Sequence, residues 1–296
     1  MEIRNVQKTG KMFYLYLPTS WCKKYNISGS SKVSVSQDNQ GNLVVFPSFV
    51  ESGEKSVHLA LEEMDLEVTQ KVIMACFINP ADSFKITFQK KMDLGKLLQQ
   101  KQLLNIELIE AHDKVISCES SISIDKPESL LRTMIRKTKN LLYIMHNSYD
   151  KDLVGRYEED IDKNKILIEK AVIASFTSHT ISKLKIIDLY YISQISKNLE
   201  NMVDSLINIP KENITGFDEI TKIINFLEEI LKNMHVHEKR ELPYQTAVEF
   251  AKRVQNLKTP PIKDLMSLYH NRIKVNLESI SEVVMDWAIT IKLDNG

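Results

Sequence analysis

An α+β chain is expected here on three grounds: a β-rich head, a mixed α/β stretch and a long helical body follow one another along the sequence. The first fifty residues alternate apolar and polar side chains in short aromatic and β-branched runs. Beyond Pro127 apolar residues recur every three or four positions nearly to the end, as in helices with one buried face. Between these regions the two periods take turns, as a small α/β unit requires. The expected division is 1–50, 56–124 and 127–296.

In the head, MFYLYLP (Met12 to Pro18) alternates and is aromatic, KVSV and NLVVF are β-branched, and Gly29 and Gly41 are expected to turn the chain between strands. One helical turn is expected over Thr19 to Tyr25. So short a segment makes a poor core alone, and closing a small β unit commonly takes a second copy, so dimerisation is expected. In the middle, SVHLAL and SFKITF read as strands around a helix from Leu66 to Ile78, stopped by Asn79 and Pro80. A helix over Leu94 to Gln102 and two strands, NIELIE and KVISCESSISI, complete the unit.

In the body, Pro127 sits where a first helical turn tolerates it. PESLLRTMIRKTKNLLYIM marks a first helix, and Val154, Tyr157, Ile161, Ile168, Val172 and Phe176 mark a second. The clearest stripe, from Leu184 through Tyr191, Leu199 and Met202 to Ile209, marks a third. Further helices are expected over Phe217 to Val236, Tyr244 to Leu257 and Ile262 to Lys292, divided by prolines. A shift of 78 residues pairs Tyr191 with Tyr269, Asn198 with Asn276, Leu199 with Leu277, Glu200 with Glu278 and Asp204 with Glu282. The six helices therefore group three and three.

The 296 residues carry 39 Lys plus Arg and 39 Asp plus Glu, which excludes a uniformly basic nucleic-acid coat and an acidic disordered tail. Charge is nonetheless divided. Residues 1–50 hold Arg4, Lys8, Lys11, Lys23, Lys24 and Lys32 against Glu2 and Asp38, a net of +4, so the remainder sums to −4. Arg4, Lys8 and Lys11 surround Thr9 and Gly10, with Lys23 and Lys24 nearby, a set suited to DNA phosphates and doubled by a dimer. The alternative is a lysine set that serves solubility. Cys22, Cys76 and Cys118 have neither disulfide nor zinc spacing, and a cytoplasmic location is expected. No secretory leader and no membrane span are expected.

Acidic pairs four apart share a helix face: Glu158 with Asp162, Glu200 with Asp204, Glu278 with Glu282. Two such helices side by side offer four oxygen-bearing side chains, suited to Mg²⁺, Mn²⁺, Ca²⁺ or iron. The alternative is a solvated helix flank. His235 and His237 point to different faces, and His58, His112, His146, His179 and His270 lack metal-ligand spacing. There is no GxGxxG, no P-loop and no G-x-S-x-G, so no enzyme is expected.

The head, RNVQKTGKMFYLYLPTSWCKKYNISGSSKVSVSQDNQGNLVVFP, resembles the swapped-hairpin DNA-binding domain of the AbrB/SpoVT type: basic residues, a Gly, a Leu-Pro, a short helix with Trp and a final hairpin come in that order. The body, through RYEEDIDKNKILIEKAV and LENMVDSL, resembles the PhoU family and its three-helix repeats with E/D-x-x-x-D metal motifs. Together they resemble archaeal PhoU-type phosphate-uptake regulators. The resemblance implies a swapped-hairpin β domain, a small α/β middle unit and a PhoU-like bundle of two three-helix repeats. It makes Glu158, Asp162, Glu200 and Asp204 metal ligands, with Glu278 and Glu282 their counterparts in the second repeat, and Arg4, Lys8 and Lys11 DNA contacts. The sequence departs from that pattern at Gly29-Ser30-Ser31, where Gly-Asp is usual, and at Lys163, where arginine is common. The expected function is homodimeric transcriptional regulation of phosphate uptake, with double-stranded DNA as partner. The alternative is a protein-interaction regulator that docks a phosphate transporter or signalling protein without binding DNA.

Overall fold

The computed structural model describes residues 3–37, 42–47, 55–62, 65–79, 81–90, 93–98, 109–112, 114–119, 126–177, 184–210, 217–233 and 242–294. Of these, 64% are helical, and the chain is mixed α+β with small sheets and a helical C-terminal region. It divides into two compact units, residues 1–53 and 54–296.

The first unit holds two antiparallel hairpins and one short helix. β1 (Gln7–Thr9) pairs β2 (Met12–Tyr14), with Lys8 opposite Phe13 and Thr9 opposite Met12. The two-residue loop turns on Gly10 at φ +63°, the left-handed backbone that primed hairpin turns require. The turn expected at Gly29 is also present, closed by Ser31 N–H donating to Ser28 O at 3.1 Å without a positive φ; the one expected at Gly41 lies outside the described residues. α1 (Thr19–Lys24) ends on Asn26 at φ 53°; Ile27 N–H donates to Cys22 O at 2.8 Å and Asn26 N–H to Lys23 O at 3.3 Å. This is a Schellman stop with Asn in glycine's usual place. β3 (Ser34–Gln37) pairs β4 (Leu43–Phe46). None of the described residues in this unit is buried: Met12, Phe13, Leu15, Tyr16, Val35 and Leu43 are each more than half exposed.

The second unit begins with β5 (Ser56–Leu61), α2 (Leu66–Ile78) and β6 (Ser83–Phe88), a parallel βαβ crossover. Asp65 caps α2 by accepting from the backbone N–H groups of Glu67 at 2.9 Å and Val68 at 3.0 Å. α3 (Leu94–Leu98) follows. β8 (Val115–Glu119) then pairs antiparallel with β6, and β7 (Ile109–His112) with β8, giving the order β5-β6-β8-β7. Residues 99–108, which include the expected end of the helix and most of NIELIE, lie outside the described residues. Phe84, Ile86, Phe88, Ile116 and Cys118 pack one face of the sheet against Ile73 and Phe77 of α2.

Six helices follow among the described residues: α4 (Pro127–Asn147), α5 (Lys151–Thr177), α6 (Ile186–Ile207), α7 (Phe217–Asn233), α8 (Tyr244–Gln255) and α9 (Leu265–Asp294). The stripe residues Tyr191, Ile195, Leu199, Met202 and Leu206 are buried in one core with Ile161, Ile168, Leu277 and Trp287. α4, α5 and α6 pack together, α8 packs on α7 and on α9, and α6 runs beside α9 and α4 beside α7. The α6–α9 pair is antiparallel. Lys185 Nζ meets Asp294 at 2.7 Å, Trp287 Nε1 donates to Asp188 at 2.8 Å, and the Tyr191 hydroxyl meets Thr290 at 2.8 Å. Continuing that register brings the equivalents Leu199 and Leu277 level, both fully buried. The two stretches related by the 78-residue shift thus cross at their shared motif.

The two cores of this unit are bridged by α5. Ile166 is buried among the sheet residues, and Lys170, only 4% exposed, donates to Phe77 O at 2.6 Å with its Nζ 4.5 Å from the centre of the Phe77 ring. Burial holds the Lys170 amine below its ordinary value, against the pull of Cys118 and Asp82. Among the described residues no helix is long and apolar enough to cross a membrane.

Candidate functional site

Asp162 on α5 and Glu200 and Asp204 on α6 each offer a carboxylate oxygen within 4.8 Å of the others. The site follows from helix geometry. Leu199 and Met202 point into the core, which turns Glu200 and Asp204 to the flank facing α5, while Ile161 does the same for Asp162. Burial pushes the Glu200 carboxyl up to about 7, helped by the charges of Asp204, Asp162 and Glu169 and opposed by Lys165. Lys165 in turn pairs with Glu169 at 3.2 Å. Three hard oxygen donors, no histidine and a carboxyl that resists ionisation form a set that could hold a divalent or iron-type cation, with water completing the shell.

The other expected ligands are placed differently. Glu158 is half-buried on α5, one turn before Asp162, and is not part of the triad. Glu278 has Lys274 at 3.9 Å, and Glu282 is exposed. Lys274 stands where the 78-residue shift puts Ser196, and it also donates to Gln255 O at 3.3 Å. The second copy of the motif therefore carries its own cation. Among the described residues no second acidic group of metal-binding geometry occurs. His179, His235 and His237 lie outside the described residues.

The basic candidates sit on three short elements of the first unit. Lys8 is on β1, its Nζ 5.4 Å from the Phe13 ring centre; Lys11 is in the hairpin loop; Lys23 and Lys24 form the last turn of α1, where cations complement the helix dipole. Arg4 precedes β1 and is half-buried. Lys8, Lys11, Lys23 and Lys24 are exposed.

Sequence reading missed Lys165 and Glu169, the ion pair that shapes the acidic site; their i, i+4 spacing is visible but common. It also missed a cationic cluster at Glu228 of α7. That side chain is 7% exposed and meets Arg136 at 3.3 Å, Lys139 at 2.5 Å and Lys232 at 3.1 Å. Burial works against its ionisation, but hydrogen bonds from Lys139, Lys232 and Arg136 overcome it and hold the carboxyl down at about 2. Comparison with family models, with curated proteins and with solved structures gives no match.

Proposed function

We propose that this chain is a homodimeric, DNA-binding transcriptional regulator of phosphate uptake in the cytoplasm, with a helical sensor body that binds a divalent or iron-type metal at Asp162, Glu200 and Asp204. The observation that carries the DNA reading is the head: a net of +4 on a unit whose described residues include none that is buried. Such a unit has uncovered Phe13, Leu15 and Val35, and a second copy covering them brings two sets of Arg4, Lys8, Lys11, Lys23 and Lys24 together. The link to phosphate uptake rests on the resemblance to the PhoU family. No catalytic turnover is assigned.

Fluorescence anisotropy with duplex DNA between about 50 and about 200 mM salt tests the reading. Log affinity should fall linearly with log salt, at a slope of about −0.9 per neutralised phosphate. Replacing Arg4, Lys8 and Lys11 together by Ala should remove binding and leave the dimer intact by light scattering. An intact dimer that ignores DNA at low salt overturns it and leaves the protein-interaction reading, in which the bundle docks a transporter or signalling protein.

A further inference from the structure

Beyond the level of Leu199 and Leu277, away from Trp287, the α6–α9 pair borders a cleft of about 630 Å³. Asp204 reaches its α6 wall, whereas Asp162 and Glu200 do not line it. Among the described residues Arg272 is the lining cation, and its exposed guanidinium makes no hydrogen bond or ion pair with them. Asn208 Nδ2 donates to Asp204 O at 2.6 Å and Asn276 Nδ2 to Arg272 O at 2.9 Å. Each carboxamide thus spends one of its two N–H donors on its own helix and keeps its oxygen as an acceptor. Ile262 and Val275, both more than half exposed, supply an apolar wall.

We propose that this cleft binds a small hydroxylated organic oxyanion. The guanidinium takes the anionic group in a forked pair, which a phosphate or a carboxylate fits equally. The carboxamide oxygens and Asp204 accept from hydroxyl groups, and the apolar wall covers the carbon skeleton. The volume lies within the range of organic ligand sites and far exceeds a bare inorganic anion. The inference requires neither metal at the triad nor DNA at the head, although Asp204 borders both the cleft and the triad.

Calorimetric titration of the full chain in chelator, with ribose 5-phosphate, gluconate and inorganic phosphate as probes, tests it. Ribose 5-phosphate or gluconate should bind, and the better of the two identifies the anionic group. Arg272→Gln should weaken that binding about 10- to 100-fold, the loss of a charged hydrogen-bonding partner. Lys274→Gln, two residues along and outside the cleft lining, should leave it unchanged. Circular dichroism checks that each variant keeps its helicity, and Arg272→Lys, which keeps the charge but not the fork, should bind weakly. No binding by either organic probe, equal binding by Arg272→Gln, or inorganic phosphate binding as tightly overturns the proposal. Asp162→Asn, which alters the triad outside this cleft, should bind the probe as the wild type does; a loss there overturns the independence of the two sites.

Discussion

Replacing Glu200 by Gln removes one carboxylate from a crowded trio and leaves its shape. The Glu200 carboxyl ionises at about 7 in the fold against 4.5 ordinarily, a rise of about 2.5 units. At about 1.36 kcal/mol per unit, forcing it to ionise costs the folded state up to about 3 kcal/mol. Partial solvent access lowers the expected figure to about 1–2 kcal/mol. The folded protein holds a proton that the unfolded chain releases between pH 4.5 and 7, so metal-free wild type gains stability as pH falls through that window and loses it as pH rises. Glu200→Gln escapes the penalty. In urea titrations with chelator it should therefore be more stable than wild type at pH 8 by about 1–2 kcal/mol, with the gap closing by pH 4.5. Adding Mn²⁺ or Mg²⁺ at pH 8 should stabilise wild type by mass action and the variant far less. A variant that is no more stable than wild type at pH 8 in chelator, or a gap that ignores pH, refutes the electrostatic picture of the site.

Glu228→Gln leaves Arg136, Lys139 and Lys232 converging without their carboxylate; because all three reach solvent, the expected cost in urea at pH 7 is about 1–2 kcal/mol. In wild type the same group contributes stability that is present above pH 4.5 and lost as pH falls towards about 2. Asp188→Ala strips the partner from the Trp287 indole N–H and from the Lys185 backbone N–H at 3.2 Å; the expected loss is about 2–3 kcal/mol, with a red shift in tryptophan emission. Phe13→Ser with Leu15→Ser removes two uncovered apolar side chains from the head. It should weaken the dimer at least about tenfold by sedimentation, with helicity unchanged.

The helices of the body were legible because their core faces are regular: Leu199, Met202 and Leu206 repeat without interruption, and Pro127 and Pro243 mark where two of them start. α2 could be bounded to the residue, since Asn79 breaks it and Asp65 can cap it. The acidic site was half legible. Spacing of four named the pairs on each helix, but which pairs meet depends on how α5 lies against α6, and one residue of each motif does not reveal that. Glu158 and Asp162 look alike in sequence, yet one turn of helix separates a member of the triad from a bystander. Glu228 was illegible because its three partners come from α4 and α7, Arg136 and Lys139 about ninety residues away. Nothing in the sequence singles out Lys170, since nothing local tells a solvated lysine from one threaded into a neighbouring core.

That threaded lysine makes a mechanical weld. Pulling the sheet off the bundle would strand an ammonium without its carbonyl and open the greasy seat of Ile166, so melting of residues 54–296 should proceed as a single sigmoid. An engineer who cuts the chain near residue 125 to express the bundle alone inherits a sticky, half-finished wall along α5, and replacing Lys170 with Met is the first repair to try.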